Sequence, residues 1–275
     1  ERFGVPLPPA DGWTRREFLE TARSLTRDTT GDGRIDVYAF DFPRNPYQWI
    51  PWVWAGGGDI LGPDGDRASG WLDAPATLAT LDFLTDLVTE HRVTPGVQFV
   101  ESGDPAKEAR FATGGQAMLY SGHWTLQLLT EGMAQALDDI AIRPIPHAEG
   151  GEPVTVLYAS GWAVPANVTH KRLAIRLAAF LASEEAQRMR AETRLAVPAF
   201  TDVAAELAAA DVSGIEAAFL REARRGRMTW GARVRDFHEV EEALFHVVDR
   251  HLLRGEPLEE AAADIADRID GILEQ

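Results

Sequence analysis

The stretch Tyr47–Gly58, YQWIPWVWAGGG, limits what this chain can fold into more than any other. It holds three of the eight tryptophans and one of the four tyrosines, and it ends in three glycines. Indole rings bury large areas, so such a run needs either a core wide enough to take them or a ligand to cover them. The spacing of Trp49, Trp52 and Trp54 predicts a helical turn that brings at least one indole to a concave edge. Gly56–Gly58 permit a sharp turn, with positive φ where required. For each indole alone, core packing is the ordinary expectation. For the run together, we expect at least one ring to face a ligand, and flat rings on a rigid element stack well on weakly polar faces such as those of pyranose sugars.

A chain of 275 residues makes one large domain or two small ones. The net charge of −16 argues against nucleic acid, whose phosphates need a basic surface, and against anionic membrane surfaces. The acidity by itself calls for no explanation beyond solubility. The sequence has no cysteine, which excludes disulfides, thiolate chemistry and cysteine-ligated metal within it. No run of eighteen apolar residues is present, so direct membrane insertion of this chain is not expected. No signal peptide is visible, and the chain opens at Glu1 rather than Met.

Residues 1–13 are proline-rich and read as extended. Thr14 with Glu17 three positions on forms a capping box, and Phe18, Leu19, Ala22 and Leu25 continue as a helical stripe. Further helices are predicted over 77–90, 107–113 and 125–137. Another spans 171–192, with a second start at Ser183, and more follow over 201–210, 214–225, 236–253 and 257–275. Strands are expected at IDVYAF (35–40), at QAMLY (116–120), over 140–142 and on both sides of a break at Ala159-Ser160-Gly161, which Tyr158 and Trp162 flank.

Between the first helix and the first strand lies DTTGDGRID. Asp28, Thr30, Asp32 and Asp36 alternate around Gly31 and Gly33, with the Arg34 carbonyl at the seventh position, as in the first part of a calcium loop. The twelfth position is Ala39 rather than a bidentate Glu, so the match is partial. Calcium is a candidate ligand here, with no cofactor required, and an Asp/Gly-rich turn is the alternative.

No nucleophile elbow, phosphate-binding glycine loop or dinucleotide fingerprint occurs. The seven histidines are scattered and no HExxH is present. Asp41 and Asp59, beside the aromatic run, are the carboxylates to follow. What remains is a set of aromatics near element ends: Tyr47, Trp49, Trp52, Trp124, Tyr158, Trp162 and Trp230, with Arg233 beside the last. Such a set suits a neutral polyol. A carbohydrate-active enzyme or binding module on the same platform is the alternative, and two carboxylates ~5–10 Å apart across the aromatics would mark it.

The order of segments resembles the extracellular solute-binding proteins of ABC importers, the carbohydrate-binding group that includes maltose-binding protein. FGVPLPPADGWTRREFLETARSLT, WVWAGGGDIL, RFATGGQAMLYSGHW, SGWAVPA and KRLAIRLAAFLASEEAQ carry the resemblance, which extends over nearly the whole chain. It implies an α/β fold of the type II periplasmic-binding-protein kind, mostly the second lobe and helix-rich around a mixed sheet. It also implies non-catalytic sugar capture in a cleft between lobes that close by hinge bending. The implied ligand contacts are Tyr47, Trp49, Trp124, Ser160–Gly161–Trp162 and the Trp230–Arg233 stretch. The implied partners are a small carbohydrate and the permease subunits of an ABC transporter. The implied location is extracellular or periplasmic, with a lipid anchor upstream of Glu1 as one option.

The family carries a first-lobe segment of roughly a hundred residues ahead of the point where this chain opens. We therefore expect 11–160 plus 201–275 to form the second lobe, 163–200 to belong to the first, and 1–10 to cross between them. The apolar face of Lys171–Ala191 is then expected to lack part of its cover.

Overall fold

A computed structural model describes residues 3–96, 107–132 and 140–275. The first helices are α1 (Arg15–Leu25), α2 (Pro46–Ala55), α3 (Pro75–Thr89), α4 (Lys107–Thr113) and α5 (Thr125–Gly132). Strand β1 (Thr155–Leu157) precedes α6 (Lys171–Leu181), α7 (Glu184–Ala191), α8 (Thr201–Ala210) and α9 (Ile215–Ala223). Strand β2 (Gly226–Met228), a 3-10 turn (Trp230–Ala232), α10 (Phe237–Arg254) and α11 (Leu258–Leu273) complete the order. None of the described helices is long and apolar enough to cross a membrane.

The chain divides into two compact units. Glu1–Tyr120, Arg143–Val156 and Arg227–Gln275 form the larger; Ser121–Ile142 and Leu157–Gly226 form the smaller. This boundary differs from the expected one. Residues 121–142, 157–160 and 201–226, all expected with the C-terminal helices, fall in the smaller unit; for 201–226 the reason is that α8 and α9 pack on each other and α8 on α7.

In the larger unit, α1 starts where the sequence predicts. The Thr14 hydroxyl accepts from the Glu17 N–H, and the Glu17 carboxylate accepts from the Thr14 N–H at 2.7 Å. Helix α2 opens with Pro46 in its first turn, where a missing N–H costs nothing. From Trp49 to Ala55 every α2 residue is buried. The glycines that follow serve close approach more than turning: only Gly57 has positive φ. A Cβ on Gly56 would fall 2.2 Å from the Thr80 hydroxyl, and one on Gly58 would fall 2.6 Å from the Thr77 hydroxyl. The glycines thus let α2 end directly against α3. Helices α10 and α11 form an antiparallel pair joined through Gly255 at φ +71°. The aromatic and aliphatic side chains of α1, α2, α3, α10 and α11 merge into one core.

The smaller unit has a thinner interior, in which Ala186, Ala191, Ala204 and Ala218 are buried with Leu126, Leu129, Val203 and Ile215. The predicted 171–192 tract is two helices, with Ser183 accepting from the Ala186 N–H at the start of α7. Helix α6 buries none of its residues. Leu173, Leu177 and Phe180, one stripe at helical spacing, are all exposed.

The expected mixed sheet is reduced. Among the described residues the only sheet pairs β1 with β2. The segment predicted as strand 35–40 makes isolated bridges instead: Val37 with Arg27, and Tyr38 with Gln116, where the predicted 116–120 strand begins. Neighbouring backbone bonds from Ala39 to Val93 and from Met118 to Ala39 keep these segments extended without a continuous ladder. No strand forms over 140–142 or beyond the Ala159–Gly161 break. Helix 125–137 is present as α5 to Gly132; its predicted last residues lie outside the described ones.

Candidate functional site

The candidate ligand residues divide between the units. In the larger unit they gather around Asp59, the residue after the glycine run. One Asp59 oxygen accepts from Trp54 Nε1 at 2.8 Å, from Trp230 Nε1 at 2.9 Å and from the Ile60 N–H at 2.9 Å. The other accepts from the Arg227 guanidinium at 2.8 Å. Arg227 also lies 4.5 Å over the Trp54 ring, and Arg233 lies 4.6 Å over Trp230 while donating to the Pro63 carbonyl at 2.8 Å. A single carboxylate therefore turns two indole edges inward and holds a cation against one of their faces.

This geometry corrects three expectations about access. Trp230 is buried with its N–H consumed by Asp59, so Arg233, not the indole, is the exposed member of that pair. Trp49 is 0% and Trp52 1% exposed. Trp52 sits in an aromatic cluster with Phe18 at 5.5 Å, Phe40 at 5.7 Å and Tyr120 at 6.0 Å. The reason is the lack of a polar face: from Trp49 to Ala55 α2 is apolar all round, so its indoles turn into the core it shares with α1 and α3. Of the run, Tyr47 stays exposed, its hydroxyl accepting from Asn45 Nδ2. Arg227 was not anticipated; in the sequence it is one arginine among several in REARRGR, and only the fold brings it to Asp59.

Asp41, the other carboxylate to follow, is fully buried. It accepts from the Tyr120 N–H at 2.8 Å, Gln116 Nε2 at 3.2 Å and Lys107 Nζ at 3.2 Å. Burial pushes its pKa above the usual carboxylate range, opposed by the Lys107 charge and the N–H donors. Both followed carboxylates are thus engaged in holding the larger unit together.

In the smaller unit, Trp124, Tyr158, Ser160, Gly161 and Trp162 are all exposed. Trp162 lies beneath the Arg190 guanidinium at 5.6 Å. Trp124 is 44% exposed although the residues on either side of it, His123 and Thr125, are buried.

The 28–36 loop uses its own oxygens. The Asp28 carboxylate accepts from Gly31 N–H at 2.6 Å and Gly33 N–H at 2.7 Å, which holds its pKa below the ordinary value. Thr30 donates to Asp28, Asp36 accepts from the Thr29 N–H and hydroxyl, and Asp32 accepts from the Arg34 N–H. Among the described residues no group of three His, Cys, Asp or Glu side chains is disposed to hold a metal ion.

The family model for bacterial extracellular solute-binding protein matches residues 6–216, and the chain belongs to that family. Its fold is similar to MalE of Bdellovibrio bacteriovorus bound to maltotriose, with a TM-score of 0.74 at 20% identity over 96% of this chain and 68% of that one. MalE3 of T. maritima with maltose bound gives 0.76 at 22%, over 98% and 67%. The GacH receptor of Streptomyces glaucescens, solved unliganded and with acarbose, gives 0.80 at 17%, over 99% and 66%. The chain thus has the type II periplasmic-binding-protein fold and spans about two thirds of the length of these structures. No functionally curated protein matches it.

Proposed function

We propose that this chain belongs to the substrate-binding subunit of a carbohydrate ABC importer. It captures a mono- or oligosaccharide reversibly, without chemistry, on the extracellular or periplasmic side and passes it to permease subunits. The observation that carries this reading is the set of exposed aromatics in the smaller unit, Trp124, Tyr158 and Trp162, on a fold whose relatives hold maltose, maltotriose and acarbose. Exposed indoles are costly to leave bare and suit the apolar faces of sugar rings. Ser160 and the backbone at Gly161 offer hydroxyl partners beside them. The engagement of Asp41 and Asp59 in structural bonds speaks for capture rather than hydrolysis.

Calorimetric titration with glucose, maltose, maltotriose and acarbose tests the reading, with chromatography of the recovered sugar. Binding of at least one sugar, its loss in Trp124→Ala and recovery of uncleaved sugar are expected. Cleavage, or binding that is indifferent to Trp124, Tyr158 and Trp162 together, overturns it.

A further inference from the structure

Trp124 is held out to solvent by an arrangement that belongs to its own unit. The four-residue loop Ser121–Trp124 leads into α5, and three contacts fix it. Ser121 and Thr125 share a hydroxyl–hydroxyl hydrogen bond across the loop. His123 Nε2 lies 2.8 Å from a Glu216 carboxylate oxygen, and its ring packs edge-on against Phe219 at 4.9 Å, both residues on α9. The pair is desolvated: the side chains are 8% and 11% exposed. The third contact is made by what Gly122 lacks. A Cβ there would fall 2.1, 2.4 and 2.5 Å from Cζ3, Cη2 and Cε3 of Trp124. The six-membered half of the indole therefore lies directly over the Gly122 backbone, and no other residue type leaves room for it.

We propose that Gly122, His123 and Glu216 are positioning residues that pre-set Trp124 as a ligand platform; this rests on the reading of Trp124 as a sugar contact. One side of the indole is seated on Gly122, so the opposite side is the one offered to a ring. A buried ion-paired or hydrogen-bonded histidine immediately before it prevents the loop from rotating. Glu216 is itself held: its N–H donates to Asp211 at 2.9 Å, and its other oxygen lies 3.9 Å from Arg194, which also approaches Asp211 at 3.6 Å. The orientation of one exposed ring is thus referred back to helix α9 through a chain of charged contacts. Pre-ordering a side chain in its bound orientation removes that cost from binding.

The test uses the whole chain and maltotriose as the probe, with Gly122→Ala, His123→Ala, Glu216→Gln, Trp124→Ala and Trp124→Phe variants. Two readouts are followed: calorimetric affinity, and the indole N–H signal of Trp124 in a nitrogen-15 correlation spectrum, assigned by its absence in Trp124→Phe. Gly122→Ala and His123→Ala are expected to shift or broaden that signal while the amide spectrum of α8 stays in place; in His123→Ala the α9 amides beside Phe219 shift with the lost ring. Both variants should weaken maltotriose binding about tenfold, the scale of ~1.4 kcal/mol. Glu216→Gln retains an acceptor for the histidine N–H and should leave both readouts near wild type. If the Trp124 signal and the affinity of both alanine variants equal wild type, the proposal is overturned. If no form binds maltotriose, the sugar reading is decided by the wider sugar panel, and here the spectrum alone decides: an unmoved signal overturns the positioning role, a moved one supports it. If His123→Ala does not fold, Gly122→Ala decides in the same way.

Discussion

Asp59 shows how one side chain can organise a region. Its two oxygens satisfy two buried indole N–H groups and a guanidinium. Replacing it by alanine leaves both indoles without an acceptor and Arg227 without its partner. We expect Asp59→Ala to lower stability by about 2–4 kcal/mol in urea unfolding, and Asp59→Asn, which keeps one acceptor oxygen, to lose clearly less. Asp41 makes a pH prediction. Its folded pKa is raised by burial, so its favourable contribution is complete below the unfolded value of about 3.8 and declines as pH rises through the folded pKa. Asp41→Asn should remove this term: the stability difference, variant minus wild type, is expected to grow as pH rises through that window. A difference independent of pH would show that Lys107 and the N–H donors cancel the burial effect. Both carboxylates stood out in the sequence by their place beside the aromatic run. Their partners, 168 residues away at Arg227 and 66 at Lys107, did not, because nothing local in a sequence records such pairings.

At the scale of elements, local rules were most readable where the interaction is local. The Thr14–Glu17 box forms as its spacing requires, and Ser183 starts a second helix within the 171–192 tract. Thr14→Ala should cost about 1 kcal/mol, read as a lowered thermal midpoint. Glu17 gives the opposite pH sign to Asp41. Hydrogen bonds from the Thr14 backbone and hydroxyl hold its pKa below 4.5, so its contribution is present above that value and fades as pH falls through the folded pKa. Helix α6 supplies a negative prediction: since Leu173 and Leu177 are exposed, Leu173→Ser with Leu177→Ser should change stability by under ~1 kcal/mol. The same pair should lower binding of a hydrophobic dye such as ANS; a large destabilisation would show the face to be covered. Strands were the least readable elements. Segments 35–40 and 116–120 have strand composition, yet their pairing is a set of single bridges, and ladder length depends on partners that composition does not reveal.

For the whole molecule, the two units differ in what holds them. The larger contains Trp13, Trp49, Trp52, Trp54, Trp71 and Trp230, the smaller only Trp124 and Trp162. The larger has a core of bulky rings and aliphatic side chains; the smaller is closed mostly by alanines and a few branched residues, which bury less apolar area per residue. We expect unequal stability: in urea, far-UV circular dichroism should begin to fall, as α6–α9 unfold, before tryptophan emission shifts to the red. Coincident transitions would show one cooperative unit. The sequence by itself determined the helices with strong periodicity and caps, the absence of cysteine chemistry, the acidic surface and the family pattern, because each is written in neighbours a few residues apart. The tertiary structure alone decided which indoles are buried and which are exposed, since burial depends on what other segments bring to a surface. It placed Trp49, Trp52 and Trp230 inside, left Trp124, Tyr158 and Trp162 outside, and joined Arg227 to Asp59 and His123 to Glu216 across stretches of chain that no local spacing connects.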